Sequence, residues 1–224
     1  MEKTKITMKV HEKIFEAFSM KIEAVHLKRD AYLNHVLKCE IKSLSEELKG
    51  KKQSTKARRY VSGELNRLNL KTINVVVDKE VAARLNFITK EHNLVRDAFV
   101  NRLFLYLLGH KKLLSWLELP EFISQDEYNP ENFIADVPTA PLDAVDYFIT
   151  DPLYHLRLAA NERFNQGLYL LDLPNQYDSF SCFIGDEYVP GTIENKKHSE
   201  KMDELLVSLD SFFVGFSGKS GGKA

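Results

Sequence analysis

Residues able to do covalent or metal chemistry are present in this chain, but not at workable spacings. Gly215-Phe216-Ser217-Gly218-Lys219-Ser220 has the letters of a phosphate loop, yet it falls two residues short of the G-x4-GK[ST] spacing that cradles a phosphate in backbone N–H groups. Gly218-Lys219-Ser220-Gly221-Gly222 spells a nucleophile elbow with no strand pattern before it to aim the serine. Cys182 with His198 would make a thiol dyad, and Asp143, Asp146 and Asp151 a carboxylate metal site, but neither set has a supporting motif. His155 and Glu162 are not at metalloprotease spacing. The expectation is a protein without catalytic residues, metal or cofactor.

Charge is more informative. The whole chain has a net charge of −1, but residues 1–112 hold 24 Lys and Arg against 13 Asp and Glu, a net of +11, and residues 113–224 hold 7 against 19, a net of −12. A basic half attracts an anionic polymer, and an acidic half is repelled by nucleic acid. Cys39 and Cys182 give neither a disulfide framework nor metal-ligand spacing. The longest apolar run, Leu103 to Leu108, is far too short for a bilayer, and the first residues lack the apolar core of a signal peptide. The expectation is a cytoplasmic protein with no membrane partner.

The elements that must position these charges occur twice. A shift of 67 positions lays Lys5–Leu37 over Thr72–Phe104 without a gap, and Arg29-Asp30-Ala31-Tyr32-Leu33-Asn34 then falls on Arg96-Asp97-Ala98-Phe99-Val100-Asn101. Each copy opens with period two: Ile6, Met8 and Val10 alternate with Lys5, Thr7 and Lys9, and Ile73, Val75 and Val77 take the inward register of the second copy. The period then becomes helical, through Ile14, Phe18, Ile22 and Val25 and through Val81, Leu85 and Ile88. Asp78 is the better N-cap and His11 the poorer one. After breaks at His26-Leu27 and Asn93-Leu94, a second helix starts near Lys28 and Val95, with Gly109 closing the later copy. An isolated strand cannot satisfy its own backbone, so the two copies must combine, within or between chains.

The expected fold is mainly α with a short antiparallel β-ribbon, divided into repeat one (1–45), a basic linker (46–70), repeat two (71–110), an acidic aromatic-rich α+β domain (111–214) and a flexible tail (215–224). The linker, Lys49 to Arg59, is polar enough to be mobile, with a short helix near Ser62 to Leu68. In the acidic domain, helices are expected over Leu142–Ile149, Pro152–Asn165 and Glu194–Leu209, and strands over Leu168–Leu173 and Phe180–Ile184.

Strand, helix, helix with a basic start to the second helix resembles the ribbon-helix-helix family of DNA-binding proteins typified by Arc, MetJ and CopG, doubled in one chain as in TraY. The resemblance covers Lys3 to about Ser45 and Leu70 to about Gly109. It implies a ribbon lying in the major groove and second-helix amino termini on phosphates. Base-reading positions would then be Lys5, Thr7 and Lys9 in one strand and Thr72, Asn74 and Val76 in the other. Phosphate anchors would be Lys28, Arg29, Arg96, Lys51, Lys52, Arg58 and Arg59. Lys28 and Val95 stand where many members place Ser or Thr.

The resemblance further implies a sequence-specific double-stranded DNA-binding regulator, a repressor acting as a homo-oligomer and nucleoid-associated in a bacterial cytoplasm. An alternative is an antitoxin or defence-module component whose acidic half binds a protein partner with a basic site. The acidic half could also fold back over the ribbon and compete with DNA, since opposite fields attract over roughly 8 Å in physiological salt.

Overall fold

A computed structural model describes residues 2–119 and 151–204. The alternating stretches become strand β1 (Lys3–His11) and strand β2 (Leu70–Asp78), each followed by two helices: α1 (Glu12–Ala24) and α2 (Arg29–Glu47), then α4 (Lys79–Glu91) and α5 (Arg96–Leu108). Helix α3 (Thr55–Asn66) lies between the copies. The chain is mainly α with one two-stranded antiparallel sheet, and both strands come from the same chain. Lys5 faces Val76, Thr7 faces Asn74 and Lys9 faces Thr72, while Ile6, Met8, Val10, Ile73, Val75 and Val77 are buried beneath.

Contacts recur at positions 67 apart, so the two units clasp each other reciprocally. The backbone N–H of Glu12 donates to Asn69 O and that of Lys79 to Glu2 O, both at 2.9 Å, extending the ladder at each end. Helix α5 lies on β1 and α1, and α2 lies on β2 and α4. Phe104 of α5 makes edge contacts with Phe15 and Phe18 of α1 at 5.9 and 4.9 Å between ring centroids.

Helix ends follow local chemistry. His26 and Asn93 adopt left-handed backbone at φ 57° and 56°, and Leu27 N donates to Ile22 O as Leu94 N does to Thr89 O, the same six-to-one closure in each copy. Gly109, at φ 60°, ends α5 in the conformation glycine tolerates best. The expected caps of the first helices are reversed. His11 Nδ1 accepts from Ile14 N at 3.4 Å, and burial and Lys13 lower the pKa of the ring. Asp78 makes no cap bond because Asn34 Nδ2 donates to its carboxylate at 2.9 Å. Val25, expected on the apolar face of α1, is 61% exposed at the helix end; Phe15 takes the core position instead.

Two expectations for the linker change. Helix α3 begins at Thr55, well before Ser62, because Ser54 Oγ accepts from Ala57 N at 3.0 Å and Ala57, Val61 and Leu65 form a buried stripe hidden among the charges. Lys51 to Gln53 are also hooked down: Gln53 N donates to His92 O at 2.9 Å, and Lys51 O lies 2.7 Å from His92 Nδ1.

Helix α6 (Lys111–Trp116) leads to the described acidic residues, which contain helix α7 (Tyr154–Phe164), two 3-10 turns at Asn175–Phe180 and Asp186–Tyr188, and helix from 193 to 204. The Leu142–Ile149 helix and the 215–224 tail fall outside the described residues. The strands expected over Leu168–Leu173 and Phe180–Ile184 do not form. Side chains from the repeats satisfy that backbone in place of a ladder: Arg102 donates to the carbonyls of Leu168 and Leu171, and Tyr169 N donates to Glu47 Oε2 at 2.7 Å. The buried core runs unbroken from the ribbon to Cys182, so the described acidic residues share it rather than building their own.

The junction is ionic. Arg157 donates to both Glu40 carboxylate oxygens at 2.8 and 3.0 Å and to Glu47 at 3.2 Å, and the Tyr169 hydroxyl donates to Glu40. Burial raises the pKa of Glu40 and Glu47, against the pull of Tyr169 and Arg157. Burial opposes the charge of Arg157 too, but there the attraction of Glu40 outweighs it, because the guanidinium is part-exposed and the Glu40 carboxyl is not. Burial thus leaves both carboxyls easier to protonate than in the unfolded chain. Carboxyls whose pKa is raised by folding contribute stability that is complete below the unfolded value of about 4.3 and is lost as pH rises through the folded values. The melting temperature is expected to fall as pH rises above the unfolded carboxyl value of about 4.3, and Glu47→Gln to flatten that fall; parallel curves for the two proteins would contradict a raised Glu47 pKa.

Candidate nucleic-acid interface

The outer face of the ribbon is where chemistry is offered to solvent. Lys5, Thr7, Lys9, Thr72, Asn74 and Val76 are all exposed on that one face, and none is acidic. The strand period puts them there, because each apolar neighbour is drawn into the core. At the centre Thr7 Oγ1 donates to Asn74 Oδ1 at 2.8 Å. The flanking pairs differ, Lys5 with Val76 at one end and Lys9 with Thr72 at the other, so the face is chemically asymmetric. A two-stranded ribbon is narrower than the roughly 12 Å major groove.

The first turns of α2 and α5 flank this face. Arg29 Nη2 donates to Asn74 O at 3.1 Å, and Arg96 Nη2 donates to Thr7 O at 2.6 Å. Each guanidinium also lies against the carboxylate that follows it, Asp30 at 2.7 Å and Asp97 at 3.6 Å. The repeated arginines therefore hold strand carbonyls in this structure. Lys28 is exposed at the start of α2, with no side-chain cap bond.

In the second unit Arg58 of α3 donates to Asn93 Oδ1 at 3.3 Å and joins Lys90, Arg96 and the α5 first turn around an open cleft of about 330 Å³. The matching residues of the first unit are Glu23 for Lys90 and Lys28 for Val95, so the two units carry their positive charge here on different elements. Lys52 and Arg59 are exposed. The Lys51 side chain instead lines a separate cleft of about 550 Å³ with Glu64, Asp172, Asp178 and Glu187, between α3 and the acidic segment.

Sequence reasoning missed the charges inside the junction. Glu40 and Arg102 are fully buried, and each sits on the apolar stripe of its helix, between Leu37 and Ile41 and between Phe99 and Leu103. A charge at a stripe position is the signal that marks them. Cys182 is also buried, donates to Tyr169 O at 3.4 Å and has its thiol pushed up to about 11 by burial, far from a reactive thiolate. Asp151 lies 3.7 Å from Arg157 Nε, and Asp143 and Asp146 lie outside the described residues. Among the described residues no metal-ligand cluster is found, and no helix is long and apolar enough to cross a membrane.

No protein family, characterised protein or solved structure matches this chain.

Proposed function

We propose that this chain is a sequence-specific double-stranded DNA-binding protein, a transcriptional regulator of tandem ribbon-helix-helix type that lays its ribbon in the major groove. The observation that carries the reading is the six-residue outer face, donor-rich and free of carboxylates, on an antiparallel ribbon closed within one chain. The basic amino-terminal half supports it. One chain completes the ribbon, so oligomerisation is not needed to form the reading face. The described acidic residues pack on the helices and leave the six side chains exposed. Binding is expected to weaken steeply with salt as counterions are released. Lys9→Ala and Asn74→Ala should each lower discrimination among duplexes by about 1–3 kcal/mol, measured by competition binding. Equal affinity of the parent protein for all duplexes would defeat the reading.

The cleft beside α3 favours a compatible second role for the acidic half. Glu64, Asp172, Asp178 and Glu187 line the cleft against Lys51 alone, and burial and the like charges of Asp172 and Glu64 raise the pKa of Asp178. A partner protein with a basic site, as in an antitoxin or defence module, would complement this acidic lining. Co-purification from the native host tests this, and a protein recovered without any companion counts against it.

A further inference from the structure

The strongest repetition in the sequence, Arg-Asp-x-x-x-Asn at 29–34 and 96–101, meets the ribbon at its edges. Because the ladder bonds run through Glu12 to Asn69 and Lys79 to Glu2, alternation leaves the backbone N–H and C=O groups of Thr7, Lys9, His11, Asn74, Val76 and Asp78 facing away from the partner strand. A two-stranded sheet has no interior strand, so these edges must be satisfied by something else.

Side chains of the other unit do it. On the edge of β2, Arg29 donates to Asn74 O at 3.1 Å, Asp30 Oδ2 accepts from Val76 N at 3.0 Å and Asn34 Oδ1 accepts from Asp78 N at 2.7 Å. On the edge of β1, Arg96 donates to Thr7 O at 2.6 Å, while Asn101 accepts from His11 N at 2.7 Å and donates to Lys9 O at 2.8 Å. Three side chains along β2 and two along β1, each set on one helix turn and the next, thus take the place of a third strand.

We infer that Arg29, Asp30 and Asn34, with Arg96 and Asn101 of the second repeat, are positioning residues. They fix the ribbon's register and the direction of its outward side chains, and so determine how sharply it discriminates between sequences. This rests on the DNA-binding reading above. It also moves Arg29 and Arg96 out of the phosphate-anchor role that the family resemblance gives them. The two roles make opposite predictions for Asp30, a carboxylate that can only repel a phosphate. If it acts merely as a nearby charge, Asp30→Ala strengthens binding to every duplex alike. If it holds the strand, the same change costs discrimination.

The test uses the full chain. Amide hydrogen exchange, read by NMR without DNA, is expected to speed up by about tenfold at Val76 in Asp30→Ala, as a backbone bond worth about 1.4 kcal/mol is lost. Competition binding is then expected to show the ratio of preferred to random duplex affinity falling about tenfold, with affinity for random duplex not reduced. Arg29→Ala is the second variant. Its ratio should fall with the salt slope unchanged, whereas loss of a phosphate contact lowers that slope by about 1. Unchanged exchange at Val76, or equal gains on all duplexes, overturns the inference. A parent protein with no sequence preference overturns the DNA reading instead, and the exchange result still decides whether the edge is held.

Discussion

Arg102→Ala is expected to lower the stability of the whole chain by about 3–5 kcal/mol, the range for removing one partner of a buried charged network. Arg102 is fully buried, and Nε donates to the Tyr106 hydroxyl at 2.9 Å and to Leu168 O at 3.0 Å, while Nη2 reaches Leu168 O at 2.8 Å and Leu171 O. Truncation strips Leu171 O of its donor, takes the guanidinium donors from Leu168 O and the Tyr106 hydroxyl, and leaves a side-chain-sized void. Burial has already pushed the Tyr106 hydroxyl up to about 12, so it stays a neutral donor to Leu168 O. For a chain of this size each kcal/mol moves the melting temperature about 2–4 °C, so a drop of about 10 °C is expected. Trp116, the sole tryptophan, stacks on Phe164 at 4.6 Å and gives a fluorescence reading of the same junction. A shift of less than about 2 °C would mean that Arg102 does not hold the 168–171 backbone.

Phe104→Ala has a comparable expected cost, about 3–5 kcal/mol, but acts on the link between the two units. The ring is 1% exposed and touches both Phe15 and Phe18 of α1. Since α5 also lies along β1, loosening it is expected to release the edge of the ribbon, with faster amide exchange at His11. Phe87, 66% exposed on α4, is the control: Phe87→Ala should change stability by no more than about 0.5 kcal/mol. Urea denaturation checks both, and a Phe104→Ala midpoint close to that of Phe87→Ala would contradict the interlocked packing.

Much of the repeat architecture is legible from the 67-residue shift. Period two placed Lys5, Thr7, Lys9, Thr72, Asn74 and Val76 outward, and they are exposed; Gly109 announced the end of α5. The task of Arg-Asp-x-x-x-Asn was not legible, because the carbonyls it serves lie 45 and 89 residues away in sequence and belong to the other unit. Only the packing of each second helix on the opposite strand reveals them. Helix α3 was obscured for a different reason: Lys56, Arg58 and Arg59 crowd a stripe of just Ala57, Val61 and Leu65. Leu168 to Leu173 read as a strand because a short apolar run does not distinguish a paired strand from backbone satisfied by a buried arginine. The ionic junction was foreshadowed by Glu40 and Arg102 interrupting apolar stripes, but their partners Tyr169 and Leu168 lie far along the chain.

The most direct measurement of the central claim is selection of the full chain against a pool of randomised duplexes, followed by guanine N7 methylation interference on the enriched sequence. The proposed reading predicts an enriched asymmetric site in which methylation at the N7 edge, a major-groove position, blocks binding. A pool left without enrichment, or a selected site bound equally well after N7 methylation, would contradict a ribbon that reads the major groove.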